Sequence, residues 1–195
     1  MIEPTWPNII LWASIAFACG SLPLAVWIGR LAGVDIRSVG DGNPGATNVL
    51  KAAGAGWGML AFCAEFSKAA VPVGIIYMIF GWHGYEVIPI ALAPSLGHAF
   101  SPLLNGKGGK ALATMLGAWI GTTLWVMPTI ILTVLVFMHL VIKPKKDLWS
   151  VLPTIGAGFI WFFGFDWDPV LATLLAVQLL FVLYTHRGSL NKRPL

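Results

Sequence analysis

Seven apolar windows succeed one another along this chain, separated by short polar gaps: Asn8 to Gly29, Ala53 to Phe80, Val87 to Leu104, Ala111 to Val126, Met127 to Ile142, Trp149 to Phe165 and Val170 to Thr185. An upright helix needs about 20 apolar residues to cross a bilayer. Several windows fall short of that length; seven spans is the expectation, with five or six as alternatives. Only 10% of the residues are charged against 57% hydrophobic, whereas a soluble domain carries roughly 25% charge. The chain is therefore expected to be an all-α polytopic membrane protein, with residues 1–195 forming a single membrane domain.

The charges test the window count independently, because Lys and Arg concentrate in cytoplasmic loops. Arg30, Arg37 and Lys51 follow the first window, Lys107 and Lys110 the third, Lys143, Lys145 and Lys146 the fifth, and Arg187, Lys192 and Arg193 the seventh. All of these share one side when the gaps are numbered alternately. The other side holds Glu3, Glu86, Asp166 and Asp168 and no Lys or Arg. The segregation predicts an outside N-terminus, a cytoplasmic C-terminus and an odd number of spans. The stretch before the first window has Glu3 and no cation, unlike a cleavable leader, so that window is expected to stay attached. Cys19 and Cys63 both lie in apolar windows, where a thiol packs as a small hydrophobe; no disulfide framework or metal site is implied.

One cation breaks the pattern. Lys68 lies inside the second window, three residues after Glu65. An i,i+3 spacing places both on one helical face, where each can neutralise the other. A lone charge at the centre of a membrane helix costs on the order of 2.5 to 3.5 kcal/mol. The pair is either a structural ion pair or one wall of a polar cavity.

The glycine-rich stretch Gly40-Asp41-Gly42-Asn43-Pro44-Gly45-Ala46-Thr47-Asn48 lies between the first two windows. Glycines let successive backbone N–H groups turn toward one point and form an anion-binding concavity. Thr47 and Asn48 are good N-cap residues, so a helix N-terminus is expected to point at the same spot. Further polar clusters fall on the same face: Gly97-His98-Ala99-Phe100-Ser101-Pro102 with Gly106-Lys107-Gly108-Gly109-Lys110, then Ser150, then His186-Arg187. Glycine with paired cations points to phosphate.

Known phosphate and catalytic motifs do not account for these clusters. Gly40 to Gly45 satisfies G-x-G-x-x-G, but no βαβ unit surrounds it and Pro44 sits within it, so a dinucleotide fold is not expected. Gly108-Gly109-Lys110-Ala111 lacks the first Gly and the Ser/Thr of a P-loop. None of His83, His98, His139 and His186 opens an H-x4-D motif, and neither a G-x-S-x-G elbow nor H-E-x-x-H occurs. His98 lies close in sequence to Lys107 and Lys110, which weighs a functional role against ordinary packing. The basic residues after the fifth window are read as flanking a membrane helix.

Taken together and in order, Gly20-Ser21-Leu22-Pro23, Gly33-Val34-Asp35-Ile36-Arg37, Gly40-x-Gly42-Asn43-x-Gly45-Ala46-Thr47-Asn48, Gly97-His98-x-Phe100, Lys107-Gly108-Gly109-Lys110 with Ala113-Thr114, and His186-Arg187 resemble the bacterial acyl-phosphate:glycerol-3-phosphate acyltransferases, the PlsY family. The resemblance implies a seven-helix enzyme of the bacterial inner membrane. Such an enzyme moves an acyl chain from acyl phosphate to glycerol 3-phosphate, giving lysophosphatidic acid and phosphate, the first step of phospholipid biosynthesis. It implies membrane lipids as surroundings, no cofactor, no metal and no nucleic acid; a monomer is the expectation for the assembly.

By the same resemblance, Asn48, His98, Lys107 and Ser150 are the catalytic candidates. Gly40, Asp41, Gly42, Asn43, Gly45, Thr47, Lys51, Gly108, Gly109, Lys110, His186, Arg187 and Ser189 are the substrate-binding candidates. The chain departs from the family pattern at Asp41, usually Ser, at Lys51, usually Arg, at Gly106, usually Phe, at Ala111, usually Gly, and at Ser189, usually Asn. A carboxylate in an anion cradle repels phosphate, so Asp41 is the departure with the greatest consequence. Two alternatives stand beside the enzyme: a relative that binds a phospholipid or small anion without turnover, and a small-anion transporter with glycine-broken loops.

Overall fold

The computed structural model describes residues 2–144 and 148–187. Lys145, Lys146, Ser189, Lys192 and Arg193 lie outside the described residues. Among the described residues every regular element is helical: α1 (Trp6–Ser21), α2 (Leu24–Leu31), α3 (Ala46–Ala53), α4 (Ala55–Gly74), α5 (Val87–Ala99), α6 (Leu112–Thr123), α7 (Val126–Phe137), α8 (Leu148–Gly164) and α9 (Pro169–Thr185). Single π-helical turns extend α4 to Ile79 and α7 to Ile142. Each apolar window is occupied by helix. Trp6–Leu31, Ala55–Ile79 and Val87–Leu104 are long and apolar enough to cross a membrane; the helical stretches of the other four windows are shorter.

The chain folds as two compact units, one reaching Thr122 and the other starting at Thr123. In the first unit the leading window is not one helix. It breaks at Leu22-Pro23, because proline has no N–H to continue the ladder and its ring clashes with the preceding turn. The break is closed by side chains of α4: Glu65 Oε1 accepts the Ala25 N–H at 2.9 Å, and Lys68 Nζ donates to the Leu22 carbonyl at 3.1 Å. The Ala25 N–H would otherwise be left unmatched at a helix end inside a membrane, and the Leu22 carbonyl would hold only the Leu24 N–H, at 2.9 Å.

Helices α1 and α5 approach closely through glycines. A Cβ on Gly20 would fall 2.1 Å from the Pro94 carbonyl oxygen, and one on Gly97 would fall 2.2 Å from that of Phe17. Small residues at such crossings give membrane helices the van der Waals contact that hydrophobicity cannot supply in lipid. Beside this crossing, Ala25, Val26 and Ile28 of α2, Ile36 of the loop, Val49 of α3 and Ala61 of α4 form one buried cluster. That cluster clamps both ends of the glycine loop between α2 and α3.

In the second unit Asp168 caps α9: its Oδ1 accepts the N–H groups of Val170 and Leu171, both at 2.9 Å, with Pro169 at the first helical position. Gly158 of α8 lies against Met127 of α7 and Leu175 of α9. A Cβ there would meet both, so the three helices pack through this point.

Candidate active site

The glycine loop folds around one side chain. Gly40 and Gly42 take φ of +61° and +72°, conformations that a Cβ would disfavour. Between them stands Asp41, whose Oδ1 accepts from the Asn43 N–H at 3.1 Å and from Asn48 Nδ2 at 3.0 Å. Asn48 Nδ2 also donates to the Asn43 carbonyl at 2.9 Å. The expected capping role of Thr47 and Asn48 is corrected here. The N-cap of α3 is Gly45, whose extended backbone opens the helix. Asn48 sits within the first turn with its amide committed to the loop, and Thr47 is exposed.

A second glycine stretch closes on the first. The N–H groups of Gly108 and Gly109 donate to the carbonyls of Ala99 and His98, at 3.0 and 3.2 Å, which lays the turn against the end of α5. The approach leaves no space for a side chain, since a Cβ on Gly108 would lie 1.8 Å from the His98 carbonyl oxygen. The Lys110 N–H then donates to Asn43 Oδ1 at 3.1 Å, and Lys110 Nζ pairs with Asp41 Oδ2 at 2.8 Å. Two stretches 67 residues apart thus meet in one corner that carries the Lys110 ammonium.

Asp41 is the acid of that corner. Burial raises its pKa, but hydrogen bonds from Lys110, the Asn43 N–H and Asn48, together with the Lys110 charge, outweigh burial and lower it to about 2. The expected repulsion of an anion therefore takes a specific form: the carboxylate already sits on the cation that a phosphate would seek. Lys51 Nζ stands at the same rim, 3.5 Å from where a Cβ on Gly40 would lie.

Behind the glycine turn lies the Glu65–Lys68 pair. The two side chains form an ion pair and are only 2% exposed. His98 joins them, with Nδ1 2.7 Å from Lys68 Nζ and 2.8 Å from Glu65 Oε2. The opposite edge of its ring faces the turn, because a Cβ on Gly109 would fall 2.3 Å from His98 Nε2 and 3.1 Å from Asn43 Oδ1. Ser101 Oγ ties the end of α5 to α1 by donating to the Ser21 carbonyl at 2.6 Å. The charge spacing in the second window predicts the ion pair, but no sequence signal links it to a histidine 30 residues away.

The structure brings together Gly40, Asp41, Gly42, Asn43, Gly45, Asn48, Lys51, His98, Gly108, Gly109 and Lys110. Lys107 is exposed in the same turn, its N–H donating to the Leu104 carbonyl at 3.0 Å. Ser150, His186 and Arg187 belong to the second unit. There Ser150 Oγ is buried without a hydrogen-bond partner among the described residues, His186 Nδ1 lies 3.0 Å from the Val182 carbonyl, and Arg187 stacks 3.9 Å over the Tyr184 ring. No group of three or more His, Cys, Asp and Glu among the described residues is arranged to hold a metal.

A family model described as glycerol-3-phosphate acyltransferase matches residues 10–193. The chain belongs to that family. It is 33% identical over 191 residues to glycerol-3-phosphate acyltransferase 1 of Thermotoga maritima, covering 92% of this chain and 94% of the relative. It is 34% identical over 180 residues to the glycerol-3-phosphate acyltransferase of Aquifex aeolicus, with 91% of each covered. Crystal structures of PlsY, an integral membrane glycerol 3-phosphate acyltransferase, superpose with a TM-score of 0.83 in the glycerol 3-phosphate form (27% identity) and in the lysophosphatidic acid form (26%). Each superposition covers 94% of this chain and 90% of the solved one. The acyltransferase family resemblance and the all-helical membrane fold expected from the sequence are thereby borne out.

Proposed function

We propose that this membrane acyltransferase moves an acyl chain from acyl phosphate to glycerol 3-phosphate, releasing lysophosphatidic acid and phosphate, with the site assembled from the two glycine turns. The observation that supports this reading most strongly is the closure of the Gly40–Asn48 loop on Lys110. It brings the Lys110 and Lys51 ammonium groups to one rim without supplying a strong base.

That inventory matches the reaction. A hydroxyl oxygen of glycerol 3-phosphate attacks the acyl carbonyl carbon, a new ester C–O bond forms, and the C–O bond to phosphate breaks with the electron pair leaving on phosphate. The departing phosphate, whose second ionisation lies near neutrality, accepts the hydroxyl proton. What remains for the protein is orientation and stabilisation of negative charge. In this reading Lys107 and Lys110 neutralise phosphate. Asn48 shapes the loop, and Asn43 ties that loop to the second turn. Lys51 and Thr47 line the rim. Ser150, His186, Arg187 and Ser189 stay substrate-binding candidates by the family resemblance alone, and the acyl tail stays among the apolar helices. A bound phosphate takes the place of the Asp41 carboxylate on Lys110.

The whole chain acts as one domain in the bacterial inner membrane, with the N-terminus outside and the glycine turns facing the cytoplasm. The Lys and Arg segregation supports that orientation. The test is purified protein supplied with palmitoyl phosphate and radiolabelled glycerol 3-phosphate. Labelled lysophosphatidic acid is the expected product, and its absence while an active relative works alongside would refute the reading. Lys107→Ala is expected to abolish turnover while the protein still inserts; unchanged activity removes Lys107 from the site.

A further inference from the structure

The Asp41 carboxylate holds three donors at once. Its Oδ2 pairs with Lys110 Nζ at 2.8 Å, while Oδ1 accepts from the Asn43 N–H at 3.1 Å and from Asn48 Nδ2 at 3.0 Å. A side-chain amide has two N–H groups. The Asn43 carbonyl takes the other one of Asn48, at 2.9 Å, and Asn48 is only 2% exposed. Asn48 therefore has no donor left for a substrate while Asp41 stands where it does. An ammonium, a backbone N–H and an amide N–H converging on one anion are also what a phosphate would seek.

We propose that Asp41 is an autoinhibitory latch: in the free enzyme it fills the phosphate place, and an arriving phosphate expels it and takes over Lys110, the Asn43 N–H and the Asn48 amide together. The inference rests on the acyltransferase site described above and names how that site is switched on. Three features suit a latch. The side chains of Lys110 and Asp41 are 24% and 48% exposed, so their pairing has the strength of a surface ion pair and is readily exchanged. Phosphate brings more charge and more acceptor oxygens than a carboxylate, and so wins the shared donors. Gly40 and Gly42 flank Asp41 at φ of +61° and +72°, and residues without a Cβ absorb the backbone change of a swing. When phosphate departs, Asp41 returns to Lys110 and hinders its rebinding.

The first test needs no turnover. The full chain is reconstituted in lipid with 15N at lysine Nζ and 13C at the aspartate carboxyl, and the Asp41 signal is assigned by its loss in Asp41→Asn. A short Lys110–Asp41 dipolar contact is expected in the free protein. Inorganic phosphate is expected to abolish it and to bring a 31P contact to the Lys110 nitrogen instead. A Lys110–Asp41 contact that persists beside bound phosphate overturns the proposal, and so does a protein that binds no phosphate.

The second test separates the donors. Asp41→Asn frees Lys110 but keeps an amide oxygen for Asn48 and the Asn43 N–H, whereas Asp41→Ala frees all three. The dissociation constant of inorganic phosphate is expected to fall about two- to fivefold in Asp41→Asn. It is expected to fall about threefold further in Asp41→Ala, the worth of a released hydrogen bond. Equal constants in the two variants, or constants no lower than that of wild type, overturn the latch. If phosphate expels Asp41 but lysophosphatidic acid never forms, the acyltransferase reading fails and the latch stands.

Discussion

Two lysine–carboxylate pairs organise the first unit, and they stand at opposite ends of burial. Lys68 and Glu65 are each 2% exposed, whereas Lys110 and Asp41 are 24% and 48% exposed. Breaking a buried pair strands a charge and is strongly destabilising, while an exposed pair contributes about 0–1 kcal/mol and exchanges partners readily. The same chemistry therefore does two jobs. The inner pair fixes backbone and a ring; the outer pair holds a cation ready for a better anion.

The contrast is sharpened most by the inner pair. Lys68→Met alone leaves the buried Glu65 without its lysine, and should destabilise the protein by about 3 kcal/mol, read as a large drop in the melting temperature followed by tryptophan fluorescence. A melt within a degree of wild type would erase the distinction between the pairs. Lys110→Ala should do the reverse, lowering kcat/KM for glycerol 3-phosphate by about 100-fold with little change in the melt. A variant that unfolds instead would show the outer pair to be structural.

Smaller effects follow around Lys110. Its neighbour Ala111 is held at φ +61°, where an L side chain is strained. Ala111→Gly should stabilise the protein by about 1 kcal/mol or less, the strain relieved minus the flexibility gained in the unfolded chain. A lower melting temperature would contradict that account. Asp41→Asn removes the resident anion, and KM for glycerol 3-phosphate should fall about two- to fivefold, the worth of an exposed pair. A raised KM would mean that Asp41 contacts substrate favourably.

The smallest expected change is with pH. The Asp41 carboxyl is lowered from 3.8 to about 2, so its stabilising contribution is present above pH 3.8 and lost as pH falls toward 2. Between pH 5 and 8 the profiles of wild type and Asp41→Asn should run parallel. Divergence in that window would show that Asp41 titrates there.

Much of the fold was legible because the bilayer writes it in long-range patterns. The helix windows follow from apolar length, and the charge segregation sets the expectation of how many of them cross. Lys68 announced a partner because no single charge is tolerated there, and Glu65 stood at helical spacing. What could not be read are contacts set by packing between helices. The sequence does not say that His98 lies on that ion pair, that Pro23 opens a gap filled from α4, or that Asn43 joins the two glycine turns. Thr47 and Asn48 read as caps by residue type, yet the loop required the Asn48 amide for itself and left the cap to Gly45. Asp41 read as a repellent charge, because only the fold brings Lys110 to it.

The break at Leu22-Pro23 bears on how such a chain is made. When the first 31 residues enter the bilayer, the Ala25 amide has no mate and the Leu22 carbonyl has only the Leu24 N–H, and the groups that complete them are synthesised some 40 residues later. The opening span is thus unfinished until the second arrives beside it. A ribosome-bound fragment ending before Glu65 should therefore sit less securely in the membrane than one extended past Lys68.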